Sequence, residues 1–238
     1  MKKIDRDAYG KGLLAYWSGK RSAKFSVFSD IAATEKWDIS LFFRSYEAMP
    51  EIEQLALSRC VGRVLDVGAG AGSHALFLQN LGLETTAIDI SEGAVEVMKA
   101  RGVSDVRLQN FFTMRSEKFD TLLFLMNGVG IVERMQNFTS FFSQCKTMLA
   151  DGGKVILDSS NIIYMFVEDD GSALIDLNGN YYGEMTYRMD FGQFRGVPFD
   201  WIYVDFDTLS HLASENGFSC EKLYEDDHYH YLAELRIN

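Results

Sequence analysis

Ten residues, Arg63-Val-Leu-Asp-Val-Gly-Ala-Gly-Ala-Gly72, restrict what this chain can fold into more than any others. Val64, Leu65 and Val67 are apolar and mostly β-branched, which predicts a short buried strand. Gly68, Gly70 and Gly72 follow at alternate positions. A helical pattern with Ala75, Leu76, Phe77 and Leu78 comes next and stops at Gly82. A second strand is predicted over 85–90, with the acidic Asp89 near its end. Strand, glycine-rich turn, helix, strand and acid together make a βαβ nucleotide-binding unit.

Each residue type has a physical reason. Glycine permits positive φ and lets a ligand approach the backbone. Free N–H groups of the turn and of the helix N-terminus favour an anionic group. An acid after the second strand can accept two hydrogen bonds from ribose hydroxyls. Two ligand classes use such a unit. A dinucleotide fingerprint needs G-x-G-x-x-G, and Ser73 stands where its third glycine belongs. The spacing found is G-x-G-x-G, with the acid Asp66 two residues before the first glycine. The segment 65–72 resembles motif I of the class I S-adenosylmethionine (SAM) dependent methyltransferases, hh(D/E)hGxGxG, and departs from it nowhere.

The resemblance is strong over about residues 51–160 and implies a fold and a cofactor. The fold is α/β: a doubly wound, mostly parallel seven-stranded sheet, with residues 1–50 as an N-terminal helical cap and 51–238 as the SAM-binding domain. The cofactor is SAM. Asp66, Gly68, Ala69, Gly70 and Gly72 would border its methionine moiety, Asp89 would hold the ribose diol and Ile90 would lie against the adenine. Asn110 stands where the family often has an aspartate that meets the adenine amine, and Phe111 follows it. Met126 and Asn127 occupy the motif IV position beside methionine and acceptor. Asp66 could instead only bind turn amides, and Phe111 and Phe112 could be core. Asn127 could simply form a turn before Gly128, and His74 could only pack in its helix.

Composition restricts the partners. The formal net charge of −11 disfavours nucleic acid and anionic membranes, because phosphate binding needs clustered Lys and Arg. Cys60, Cys145 and Cys220 are too scattered for a disulfide framework or a structural zinc, which points to a reducing, cytoplasmic compartment. The N-terminus lacks an apolar signal core, and no apolar run reaches membrane-spanning length. The expected partner is a small-molecule methyl acceptor, with the protein a monomer or a homodimer.

The alternation of elements predicts helices over 8–17, 51–60, 92–101, 132–149 and 207–216. Strands are predicted over 106–112, 119–126, 154–158, 181–191, 201–204, 220–224 and 228–237. The aromatic-rich first fifty residues read either as a cap over a small substrate or as helices covering a sheet edge. Tyr9, Tyr16, Trp17, Arg44, Tyr46, Arg195 and Trp201 are candidates for substrate contact, and Arg44 could also reach the SAM carboxylate. No residue is identified by spacing as a general base. His228-Tyr-His230 places two imidazoles on one strand face, but spacing supplies no third metal ligand, and no metal is expected. Two other functions share this type of sheet: an NAD-dependent oxidoreductase, and a protein that binds SAM without turnover.

Overall fold

The structure is a computed structural model that describes residues 2–167, 172, 174 and 179–238. The elements run β1 (Lys3–Ile4), α1 (Ala8–Trp17), β2 (Lys24–Ser29), β3 (Glu35–Asp38), α2 (Glu51–Ser58), β4 (Arg63–Val67), α3 (Ser73–Asn80) and β5 (Glu84–Asp89). They continue with α4 (Glu92–Arg101), β6 (Asp105–Leu108), β7 (Phe119–Phe124), α5 (Phe138–Met148), β8 (Leu149–Ser160) and β9 (Glu184–Phe191). Then come β10 (Phe194–Arg195), β11 (Phe199–Ile202), α6 (Phe206–Glu215), β12 (Phe218–Glu225) and β13 (His230–Ile237).

Among the described residues these strands form two sheets. The larger has seven strands in the order β12-β13-β8-β7-β4-β5-β6. β4 to β8 run parallel, and β13 enters antiparallel to β8. Alternate residues of β4 feed different cores. Leu65 joins α5 and α6 through Phe138, Phe141, Phe142 and Leu209. Val64 joins α2 and α3 through Ile52, Ala56, Leu57 and Leu78. Helices on both faces explain why central strands carry adjacent apolar residues, such as Val64 and Leu65 in β4 and Leu122, Leu123 and Phe124 in β7.

The second sheet has six strands and is built from the N-terminal strands β1 to β3 and the later segment β9 to β11. β2 pairs with β3 and with β9, β9 with β10 and β11, and β1 with β10. The first fifty residues are thus α-helical only over α1, which corrects the helical cap read from sequence. The strands here were not read from sequence, because the partner β9 of β2 lies about 160 residues away, as Ser26 opposite Asp190 shows. Some boundaries also differ. The 106–112 strand stops at Leu108, and Asn110 caps a 3₁₀ turn over Phe111–Thr113. The 132–149 helix begins only at Phe138, because Glu133 sits at φ 70 and interrupts it. Asp205, not Asp207, caps α6 by accepting from the Thr208 amide. The irregular stretch read over 159–179 falls partly outside the described residues.

Candidate functional site

The glycine turn is pinned to the next strand. The N–H groups of Gly68 and Ala69 both donate to the Ile88 carbonyl at 3.0 Å. The glycines of this turn have different neighbours. A Cβ at Gly68 would meet open space, so that face is free for a ligand. A Cβ at Gly72 would lie 2.8 Å from Met98 and 3.0 Å from Val103, so this glycine lets α3 pack close to α4. Both sit at positive φ, +71 and +80, where side chains are strained. Asp89 holds the turn from β5: its Oδ2 accepts from Gly70 N at 2.9 Å, and its Oδ1 from Ser91 N at 2.8 Å. Burial pushes the Asp89 carboxyl up to about 6, and nearby Asp7 adds to this against the backbone hydrogen bonds.

Helix α1 lies over this turn. Asp7 caps α1 through Gly10 N and reaches α4 through Ser91 Oγ at 2.6 Å and Gly93 N at 2.8 Å. A Cβ at Gly93 would come within 2.6 Å of the Gly10 backbone, so the two helices cross at van der Waals contact. Tyr9 stacks on Phe25, with its hydroxyl 2.8 Å from where a Gly70 Cβ would stand. Burial raises the Tyr9 phenol well above its ordinary range, and Asp89 and Asp7 reinforce the effect.

A buried charge network adjoins the turn. Arg44 Nη2 donates to Glu53 Oε1 at 2.6 Å, and Glu53 Oε2 lies 2.9 Å from His74 Nε2. Burial opposes charge on both partners, but their mutual hydrogen bond prevails: Glu53 is lowered and His74 raised. Asp66 is 2% exposed, and burial raises its carboxyl against the attraction of His74. Two buried polar atoms of this network lack a partner, Arg44 Nε and Asp66 Oδ2. Buried polar atoms are costly when unpaired, which sets these two atoms apart from the rest of the network.

Next to β4, the end of β7 is strained. Met126 and Asn127 sit at φ 64 and 56, and Tyr229, before β13, at φ 60. Such non-glycine residues cost on the order of 1–3 kcal/mol each and persist where surrounding structure holds them. Ser160 Oγ donates to Asn127 Oδ1 at 2.9 Å. Asp158 accepts from Gly128 N at 3.2 Å through Oδ1 and pairs with His230 Nε2 at 2.8 Å through Oδ2. Trp201 lies flat against Gly130, where a Cβ would be 2.0 Å from the indole.

The structure thus gathers Asp66, Gly68, Ala69, Gly70, Gly72 and Asp89 around one turn, with Met126, Asn127 and Trp201 on its β7 side. The other candidates have different surroundings, with Ile90 and Asn110 at the same strand-end edge as Asp89. Phe111 is 2% exposed and packs on Phe124 and Phe141, so it belongs to the core rather than to a ligand surface. The Asn110 oxygen expected to meet an adenine amine already accepts from Phe112 N at 2.9 Å. Ile90 is 75% exposed and lines a cavity of about 340 Å³ with Asp7, Lys11 and Gly93, on the α1 side. Tyr16 and Trp17 stack on Phe43, about 10 Å along α1 from Tyr9 at 1.5 Å per residue. Tyr46 stacks on Phe77 with centroids 4.0 Å apart, and Arg195 is exposed on β10. Glu53, Asp158 and His230 were not singled out as site residues from sequence. His230 was noticed only as half of His-x-His, and its partner Asp158 is 72 residues away. Among the described residues no group of three or more His, Cys, Asp or Glu could hold a metal ion. No helix among them is long and apolar enough to cross a membrane.

Known proteins share this arrangement. A methyltransferase-domain family model matches residues 65–157. A SAM-dependent methyltransferase from Bacteroides fragilis, solved in complex with S-adenosyl-L-homocysteine, is 41% identical. It superposes with a TM-score of 0.92 over 99% of this chain and 98% of its own. The chain belongs to the SAM-dependent methyltransferases. The CcbJ methyltransferase of Streptomyces caelestis shares the fold at 14% identity, with a TM-score of 0.66 over 98% of this chain and 99% of its own. A ubiquinone biosynthesis O-methyltransferase of Xanthomonas euvesicatoria is 30% identical over 107 residues, 42% of this chain and 43% of the relative. One from Bordetella avium is 24% identical over 152 residues, 58% of this chain and 61% of the relative. The chain spans less than two thirds of the length of these two relatives. Within the methyltransferase fold, the match from 65 to 157 covers β4 to β8 and leaves out both parts of the second sheet.

Proposed function

We propose that this methyltransferase transfers a methyl group from SAM to a small-molecule acceptor in the cytoplasm. The observation that carries the reading is the open face of Gly68 beside Asp89, with the unpaired Asp66 Oδ2 and Arg44 Nε near the same turn. Its likeness to a relative bound to S-adenosyl-L-homocysteine, the demethylated product of SAM, supports the same ligand here. SAM supplies a methyl group already activated by its sulfonium. The chain's residues then bind, align and exclude water. Asp89 accepts from the ribose hydroxyls, Arg44 and Asp66 face the two charges of the methionine end, and Tyr9 and Phe42 cover the turn. Asn127 and Trp201 lie on the acceptor side. The acidic surface supports a neutral or cationic small molecule over a polyanion. Buried Cys60 and Cys145, with thiols raised by burial, fit a reducing compartment.

Isotope-labelled SAM incubated with a panel of phenols, amines and carboxylic acids tests the reading, with thermal-shift titrations of SAM and NADH alongside. Label transfer and stabilisation by SAM are expected. Stabilisation by NADH alone would overturn it, and SAM binding without transfer to any acceptor would leave a binding protein.

A further inference from the structure

Methyl transfer to a hydroxyl requires that its proton leave, and none of the residues assigned so far takes one. The end of the sheet beyond Asn127 holds a pair suited to this. His230 opens β13 opposite Ser160, and Leu232 lies opposite Asp158. Residues paired across strands share a face, as do residues two apart, so His230, Ser160 and Asp158 point to one side of the sheet. Asp158 is fully buried, whereas the His230 side chain is 24% exposed. The carboxylate is held by the Gly128 amide through Oδ1 and binds His230 Nε2 through Oδ2 at 2.8 Å. Ser160 joins this pair to Asn127, the residue at the motif IV position. Left-handed backbone at Tyr229 and Asn127 brackets the group.

We propose that His230 is the general base of the reaction, that Asp158 is its positioning residue, and that the acceptor is an aromatic hydroxyl. The inference rests on the methyl-transfer reading above. Asp158 fixes the neutral ring with its proton on Nε2, which leaves the Nδ1 lone pair as the basic site. Nδ1 takes the hydroxyl proton while the oxygen forms its bond to the methyl carbon. The carbon–sulfur bond breaks, its electron pair stays on sulfur, and the imidazolium later releases the proton to water. A phenol, with a pKa of about 10, is within reach of an imidazole base, whereas an aliphatic alcohol is far weaker as an acid. Trp201, against Gly130 and edge-on to Phe199, supplies an aromatic wall beside the motif IV turn. The groups acting on the ring are Asp158 from β8, Asp226 from the β12–β13 turn and Glu53 from α2. Burial opposes its charge, but these carboxylates prevail and hold the imidazolium above its usual range. A base must be neutral, so the rate rises with pH through that raised value.

The test uses labelled SAM with catechol and phenol as hydroxyl probes and benzylamine as the amine probe. We expect catechol to be methylated, and His230→Gln to lower kcat by about 100-fold or more and to abolish the low-pH limb. Affinity for S-adenosyl-L-homocysteine by calorimetry should stay unchanged in this variant. Added imidazole should restore part of the rate to His230→Ala, and Asp158→Asn should shift the limb to lower pH. Independently of turnover, catechol should shift the His230 imidazole NMR signals of the S-adenosyl-L-homocysteine-bound protein. Retention of rate and pH limb in His230→Gln, no methylation of either hydroxyl probe, or no catechol-induced shift at His230 would each overturn the proposal. Failure of the wild-type protein to bind S-adenosyl-L-homocysteine would overturn the methyl-transfer reading itself, and the proposal with it.

Discussion

The two sheets of this molecule are built in opposite ways. The core of the seven-stranded sheet, β4 to β8, is consecutive in sequence, and only the β6-to-β7 connection crosses over other strands to bring β7 beside β4. Its candidate cofactor-binding groups lie at strand ends that share one edge, and the family model matches this stretch. The six-stranded sheet joins β1 to β3 with β9 to β11, which flank β4 to β8 in sequence. It meets the cofactor sheet through close contacts: Gly10 on Gly93, Tyr9 on Gly70, and Arg134 bridging Glu184 and Asp200 at 3.0 and 2.8 Å. The difference teaches where specificity can vary. A cofactor shared across a family needs a local, repeated geometry. A sheet assembled from segments that flank this stretch can change without disturbing that geometry.

Four perturbations test whether the two regions are separable. The largest effect is expected at Asp89. Asp89→Ala removes the carboxylate that orders the turn and would hold a ribose, and should weaken SAM binding by roughly 1–3 kcal/mol in calorimetry. Unchanged affinity would refute its role and move the ligand site off this sheet. Gly93→Ala acts on the junction instead. Its methyl would overlap the Gly10 backbone, and it should cost about 2 kcal/mol of stability by denaturant unfolding. Faster proteolysis within residues 1–50 than within 63–160 would locate that loss in the junction, and uniform loss would mean that the regions unfold as one.

The third perturbation is pH. Asp89 has a folded-state carboxyl near 6, above its ordinary value, so its ionised form is disfavoured in the free protein. Protonation therefore stabilises the fold as pH drops through about 6, and this part of stability is lost again as pH rises through it. Ligand binding runs the other way. Ribose hydroxyls need the carboxylate as acceptor, so SAM affinity should fall by up to about tenfold per pH unit below 6. Calorimetry from pH 5 to 7.5 checks this, and the same profile in Asp89→Asn would assign the titration to another group. The smallest effect is expected at Arg134→Ala, which cuts a partly exposed bridge and should cost less than about 1 kcal/mol in urea unfolding. A larger loss would show that the bridge, rather than apolar packing, holds the second sheet in place.

Much of the cofactor sheet was legible in the sequence because its signals are local. The helix over 92–101 was read with the observed boundaries, where Ser91 caps it and Gly102 ends it. The turn at 68–72 and the acid Asp89 were read together because only a strand and a helix separate them. Tyr16 and Trp17 were legible as helix but not as ring partners of Phe43, since stacking depends on where the following chain returns. Phe111 could not be told from a ligand contact, because a buried ring and a pocket ring have the same neighbours in sequence. His230 is the sharpest case. Its spacing to His228 suggested a pair of rings on one strand face, whereas its bonded partner is Asp158 on the adjacent strand.

By itself, then, the sequence determined the α/β class, the parallel sheet and the turn that names a methyl donor. Each depends on residue type within a few positions: period, glycine spacing and one acid at a strand end. The tertiary structure decided that the first fifty residues form half of a second sheet and that α1 lies over the glycine turn. It also decided that a buried carboxylate holds His230. These depend on pairings between segments far apart in the chain. Which of many apolar strands or charged residues meet is settled only by the burial and hydrogen bonding of the whole fold.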